Sequence, residues 1–159
     1  MAHPSITKPR TVISFDFGYV RIGVAVGQEI TATASPLTTL IRRAESPDWD
    51  AISEIIAQWK PHLLVVGIPY HADGSVNTIT AAALQFCRQL RSRFRLPVET
   101  IDERLSSWEA AYRIANCQNR ERKLRHGRLP LDHMAAVVIL ETWFNRLKQH
   151  GNIAHATGH

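Results

Sequence analysis

The chain has 159 residues, of which 45% are hydrophobic and 21% charged, with a formal net charge of +5. This length and apolar content predict one folded domain, since such a chain can bury roughly 70% of its unfolded surface. Eight glycines and eight prolines exclude a collagen-like or low-complexity protein. No apolar run approaches the ~18 residues of a membrane span. With no secretion-type leader at the N-terminus, a cytoplasmic location off the membrane is expected.

The first 41 residues predict a three-stranded meander. Residues 11–15 and 22–26 are apolar and β-branched, and a short glycine-containing segment joins them. Two such runs with a short connection are typical of a β-hairpin. A third strand is predicted at 33–41.

Helices and strands are expected to alternate in the rest of the chain. Ser46 suits an N-cap and Pro47 the first helical position, so a helix is predicted from there to Pro61. The later elements are predicted as a strand at 63–67, a helix from Ser75 to Arg93, a strand at 96–101, a helix from Ser106 or Ser107, and a helix at 131–148. This order predicts an α/β fold: a five-stranded mixed sheet flanked by helices on both faces.

One domain is therefore expected over residues 11–148. The segments 1–10 and 149–159 are expected to be flexible tails, and residues 151–159 to be frayed.

The positive charge is concentrated in one segment. Residues 113–128 hold six Arg or Lys against Glu121 alone, an excess of five that equals the net charge of the chain. Such concentration favours a surface for a polyanion over an evenly solvated one. Arg122, Lys123 and Arg125 are expected to contact a nucleic-acid backbone, in a loop that becomes ordered on binding. The alternative is a solvated loop.

Acidic residues stand where predicted strands end or a helix begins. Asp16 ends the first strand, Asp102 and Glu103 end the fifth, and Asp132 starts the last helix. Converging carboxylates are the ligands that Mg²⁺ or Mn²⁺ requires. Each residue also has a structural explanation: Asp16 as a turn residue, Asp102 and Glu103 as solvated strand-end charges with Asp102 paired to Arg104, and Asp132 as a stabiliser of a helix N-terminus.

Four motifs occur in a fixed order along the chain. They are Asp16-Phe17-Gly18 with Arg21-Ile22-Gly23-Val24-Ala25, Val66-Gly67-Ile68-Pro69 with Asp73-Gly74, Asp102-Glu103-Arg104-Leu105-Ser106, and Asp132 with Ala135-Ala136 and Ile139-Leu140. Together they resemble the YqgF (RuvX-type) family over about residues 11–148. The resemblance implies a ribonuclease H-like fold related to bacterial Holliday-junction resolvases. It also implies a bacterial cytoplasmic nuclease that matures the 5′ end of small-subunit ribosomal RNA.

The resemblance also implies a site. Asp16, Glu103 and Asp132 would be catalytic and would bind Mg²⁺ or Mn²⁺. Asp102 is the alternative to Glu103; adjacent strand residues point to opposite faces, so only one of the two should reach the ions. Glu103 is favoured because the relatives of the family use a glutamate there. Arg21 and Arg104 would lie near the phosphate, although Arg21 could equally form an ion pair at the end of the hairpin.

Three functions stay open on the sequence. The first is a metal-dependent nuclease that processes pre-16S ribosomal RNA, the second a resolvase of branched DNA, and the third a largely non-catalytic RNA-binding factor in ribosome assembly. Retention of all three acids favours an enzyme that hydrolyses phosphodiester bonds. The expected partner is structured RNA or branched DNA, bound by a monomer or a weak homodimer.

Overall fold

A five-stranded sheet forms the centre of the computed structural model, which describes residues 10–43, 46–71, 73–105 and 131–157. Its elements are β1 (Thr11–Phe17), β2 (Arg21–Gln28), β3 (Thr33–Ile41), α1 (Trp49–Trp59), β4 (Leu63–Ile68), α2 (Thr78–Phe94), β5 (Val98–Asp102) and α3 (Leu131–Thr157). The strand order is β3-β2-β1-β4-β5. β1 is antiparallel to β2 and parallel to β4, and β5 is parallel to β4. The predicted meander and mixed sheet are confirmed.

Helices cover both faces of the sheet, as predicted. All six residues of β4 are buried, as expected for a central strand covered on both sides. On one face, Phe15 packs with Ile52 of α1 and Phe86 of α2. On the other face, Val12 and other sheet residues pack with residues of α3 such as Leu140. Among the described residues, the sheet therefore separates these two clusters.

Small residues bring α3 close to the sheet. Ala135 and Ala136 are buried, and the Ser14 hydroxyl donates a 2.7 Å hydrogen bond to the carbonyl oxygen of Ala136. This bond satisfies the one polar side chain that β1 buries. It also fixes the position of α3 along β1.

α3 runs to Thr157, past the predicted end at residue 148. Gly151 does not end the helix, because one interior glycine costs only about 1 kcal/mol relative to alanine. The expectation of frayed residues from 151 onward is therefore wrong for the backbone up to 157. Among the described residues, no helix is long and apolar enough to cross a membrane.

Two helices begin later than predicted. α1 is capped by Asp48, whose carboxylate accepts a hydrogen bond from the Ala51 amide at 3.1 Å. Ser46 instead pairs with Arg43 in a β-bridge. α2 is capped by Asn77, which forms a capping box with Thr80. In both loops several residues were chemically suited to the cap, and the backbone path selected among them.

The strand before the site also differs in its start. β5 begins at Val98 rather than at 96, because Arg95 adopts a left-handed conformation and Pro97 has no amide hydrogen to donate. The helix predicted from Ser106 or Ser107 lies outside the described residues.

The α2 cap gives the first prediction. Asn77→Ala should lower the free energy of unfolding by about 1 kcal/mol, because it leaves the first-turn amides of α2 without their acceptor. Ser75→Ala is the matched control, since the Ser75 hydroxyl donates to Asp73 in the preceding loop and not to α2. Urea denaturation of both variants measures the difference. Equal loss in the two variants would contradict the observed helix start.

Candidate active site

The sheet brings the ends of three parallel strands to one edge, which is called the site edge below. In the register of β1 and β4, Asp16 lies opposite Gly67. In the register of β4 and β5, Gly67 lies opposite Ile101. Glu103 follows β5 directly, in a single 3₁₀ turn. Three strands therefore place Asp16 and Glu103 on either side of Gly67.

Both acids lie on the face of the sheet that α3 covers. Asp16 lies two residues after Ser14, which bonds to α3, so the two side chains share a face. Oε1 of Glu103 lies beside the same gap at Gly67 as Cδ1 of Ile139 in α3, so Glu103 is on that face as well. The two carboxyls are in hydrogen-bond contact, and we call them the acidic pair.

Gly67 leaves the space in which the acidic pair meets. A Cβ atom at this position would lie 2.8 Å from Oε1 of Glu103 and 2.4 Å from Cδ1 of Ile139 in α3. Both distances are shorter than real Cβ contacts, so any side chain here would displace Glu103 or α3. The signal in the sequence was a glycine ending an otherwise bulky apolar strand, which marks a close approach. Sequence analysis alone did not assign this role to Gly67.

The environment of Glu103 favours its protonated form. Burial, first, and then the negative charge of Asp16 raise the pKa of Glu103 to about 8, with smaller effects from Asp102 and from the hydrogen bond to Asp16. At neutral pH Glu103 therefore keeps its proton beside Asp16. Two ionised carboxylates this close repel each other unless a proton or a cation lies between them. Such a pair of oxygen donors suits a divalent cation.

Asp102 is engaged elsewhere. Its carboxylate accepts hydrogen bonds from Nη2 of Arg104 at 2.7 Å, from Nε at 3.2 Å and from the Arg104 amide at 2.9 Å. Desolvation acts against ionisation, but these bonds and the positive charge of Arg104 prevail and lower the pKa of Asp102. Of the two neighbouring acids, the structure brings Glu103 to Asp16 and pairs Asp102 with Arg104.

Asp132 lies in the first turn of α3. It is one turn before Ala136, whose carbonyl meets Ser14, and α3 runs from the site edge toward the opposite end of β1. Its backbone is therefore at the site edge, while its side chain lies outside the described set. No cluster of three or more metal-ligating residues occurs among the described side chains.

The predicted basic residues are placed as follows. Arg21 is exposed at the first position of β2, opposite Ile41 at the end of β3. Arg104 is bound to Asp102 and lies over the Tyr70 ring, 5.4 Å from its centroid. The remaining three are outside the described residues: Arg122, Lys123 and Arg125.

Comparison with solved structures identifies the class of fold. The chain matches Thermus thermophilus RuvC in complex with a Holliday junction substrate with a TM-score of 0.56 and 15% identity, over 87% of this chain and 96% of that one. It matches a fowlpox virus resolvase in complex with Holliday junction DNA with a TM-score of 0.54 and 8% identity, over 86% and 98%. The fold is thus the ribonuclease H-like fold of RuvC-type resolvases, as the resemblance implied.

Sequence comparison identifies the family. The family model described as "RuvX: Holliday junction resolvase" matches residues 10–146. A Methylococcus capsulatus protein named "Putative pre-16S rRNA nuclease" is 49% identical over 142 residues, which cover 89% of this chain and 93% of the relative. One of the same name from Nitrosococcus oceani is 49% identical over 140 residues, covering 88% and 90%. The chain belongs to the RuvX family, which confirms the resemblance and the enzyme class, a nuclease.

The acidic pair predicts how stability depends on pH. Below about pH 4.5, Glu103 is protonated in both the folded and the unfolded chain, so it does not lower the free energy of unfolding. As pH rises toward 8, the folded form keeps a proton that the unfolded form loses, so stability falls and the loss is complete above about pH 8. In EDTA at pH 9, Glu103→Gln should therefore be more stable than wild type by roughly 3–5 kcal/mol, and the gain should shrink at pH 5.

The control is Asp102→Asn, which breaks the pair with Arg104. Its effect should be a similar loss at both pH values, because the pKa of Asp102 lies below this range. Denaturant titrations at pH 5 and pH 9 measure both variants. A pH-independent effect of Glu103→Gln would contradict the raised pKa.

The gap at Gly67 gives a further prediction. Gly67→Ala should cost about 1–3 kcal/mol of unfolding free energy, as overpacked cores do. Ile139→Val removes the nearest clashing atom, Cδ1, so the double variant should be more stable than Gly67→Ala alone. Thermal denaturation measures this rescue. Additive losses in the double variant would show that the two residues do not compete for the same space.

Proposed function

We propose that this chain is a divalent-metal-dependent nuclease that processes the 5′ end of pre-16S ribosomal RNA during ribosome biogenesis. The observation that carries the proposal is the acidic pair, held across Gly67 at the site edge of a RuvX-family fold. The relatives' shared name supplies the substrate. A binding factor without catalysis would have no reason to hold two acids so close at a cost in stability.

The donor set fits a hard divalent cation. Asp16 and Glu103 offer carboxylate oxygens from the sheet, and Asp132 would add a third from α3; these three are the proposed metal ligands. Mg²⁺ or Mn²⁺ is the proposed ion. When bound in pairs, such ions activate a water molecule and stabilise the leaving oxygen of a phosphodiester.

The residues of the chain would orient the substrate and limit water. Ile139 and the close packing of α3 reduce the access of water to Glu103, which would strengthen its interaction with a positive charge. Asp102 occupies Nε and Nη2 of Arg104, and a guanidinium has five N–H donors, so Arg104 would use the others for a phosphate oxygen. Arg21, at the start of β2, would contact a neighbouring phosphate.

The basic segment would bind more distant phosphates. Arg122, Lys123 and Arg125 would contribute charge rather than sequence recognition, because phosphate contacts position a nucleic acid without reading its bases. The proposal includes a cytoplasmic location, where ribosomes are assembled, and action as a monomer or weak homodimer.

The experiment is a cleavage assay of purified variants with Mn²⁺ or Mg²⁺. Asp16→Asn and Glu103→Gln should each abolish cleavage, because each removes a charge that holds the ion. Asp102→Asn should retain more activity, since its carboxylate serves Arg104. Calorimetry of Mn²⁺ binding should show the same order.

Substrate comparison separates the alternatives. Wild type should cleave precursor 16S RNA in preference to a four-way DNA junction. Preference for the junction would instead identify a resolvase, and RNA binding with no metal-dependent cleavage would identify an assembly factor. Full activity of Asp16→Asn would contradict the metal-nuclease mechanism altogether.

A further inference from the structure

Exposed apolar side chains are concentrated at the site edge. Among the described residues, five large hydrophobic side chains are exposed, and four of them lie at this edge: Tyr19, Val20, Ile41 and Val76. The fifth, Ile30, lies in the turn between β2 and β3, at the opposite end of the sheet. Single exposed apolar residues are ordinary, but a concentration beside a catalytic edge indicates a binding surface.

The turn between β1 and β2 presents two of these residues on a fixed backbone. Nη1 of Arg42 donates hydrogen bonds to the carbonyl oxygens of Gly18 at 3.2 Å and Tyr19 at 2.9 Å. The Arg42 amide donates to the carbonyl oxygen of Val20 at 2.8 Å. The Arg42 guanidinium itself lies 4.7 Å from the centroid of the Phe17 ring. All three turn carbonyls are thus bound within the protein.

The side chains of this turn, in contrast, face solvent. Tyr19 is 54% exposed and Val20 64% exposed. A rigid backbone that exposes an aromatic ring and an aliphatic side chain loses little conformational entropy when a ligand covers them. A turn that only connects two strands would not need these hydrogen bonds from Arg42.

We propose that Tyr19 and Val20 form a stacking platform for an unpaired nucleobase beside the scissile phosphate, an inference that rests on the proposed nuclease function. Tyr19 follows Asp16 by three residues, so their Cα atoms are at most about 11 Å apart. Aromatic side chains stack on bases of any sequence, and only unpaired bases offer their faces. A single-stranded segment is therefore the occupant that fits.

The arrangement of strands extends this surface past the acidic pair. Ile41 ends β3 and Val76 precedes α2, on either side of the β1–β2 turn, and neighbouring strands are about 4.8 Å apart. A single strand laid along the edge would meet apolar side chains with its bases and the acidic pair with one phosphate. A duplex would present only its backbone to the same row.

The test measures binding without metal, so that cleavage plays no part. The full chain in EDTA is titrated onto a short fluorescent single-stranded RNA and onto the same strand with abasic sites, and anisotropy gives both affinities. Tyr19→Ala should weaken binding of the base-containing strand about tenfold and leave abasic binding unchanged. Tyr19→Phe, which keeps the ring, should bind as wild type does.

Ile30→Ala is the matched control, since it removes an exposed apolar side chain from the opposite end of the sheet. It should change neither affinity. Unchanged binding by Tyr19→Ala would overturn the inference, and so would an equal loss on both strands, which would indicate a general effect on the turn or on phosphate contacts. A surface for a protein partner would give the unchanged result.

The outcome is separable from that of the proposed function. Cleavage by wild type with no Tyr19-dependent preference for bases would refute the platform alone. Tyr19-dependent preference in a chain that cleaves nothing would refute the nuclease and retain a base-binding surface.

Discussion

The site depends on the contact between two carboxyls that come from strands that are not neighbours. Asp16 lies near the end of β1, and Glu103 comes directly after β5. Because β4 lies between these strands, the two backbones are separated by about two strand spacings, or roughly 10 Å. Only a residue with no side chain in β4 allows them to meet, and Gly67 is that residue. The same position receives Ile139 of α3. Close packing of the helix and assembly of the acidic pair are therefore one constraint.

That constraint has an energetic consequence. The helix that partly shields Glu103 from water also makes its ionisation unfavourable, and the negative charge of Asp16 adds to this effect. One residue earlier, Asp102 has the opposite pKa shift, because Arg104 supplies three hydrogen bonds and a positive charge. Two adjacent acids thus differ in chemistry through the face on which each lies. In the proposed mechanism, the cation at the acidic pair does for Glu103 what Arg104 does for Asp102.

Local patterns made much of the fold predictable from the sequence. The period of two in a strand indicates that only one of Asp102 and Glu103 faces Asp16, and the family resemblance favours Glu103. Hydrophobic runs mark β1, β2 and β4. The helix starts were less predictable, because Ser46 and Asp48 are both good caps and only the path of the chain selects between them. The role of Gly67 could not be derived locally at all. It arises where three strands and α3 meet, and no single segment contains that information.

The two ends of the sheet differ in what they contribute. The end opposite the site is tied by conventional interactions, such as the ion pair of Arg10 with Glu29 and the hydrogen bond from the Thr11 amide to Nδ1 of His62. The site edge instead carries features that lower stability: a partly buried acid, Glu103, that resists ionisation, and exposed apolar side chains at Tyr19 and Val20. Natural proteins accept such costs where ligands bind, because the ligand offsets them. One fully buried strand, β4, packs into the cores on both faces of the sheet, and this stability would allow the site edge to keep its unfavourable features until the proposed ligand binds.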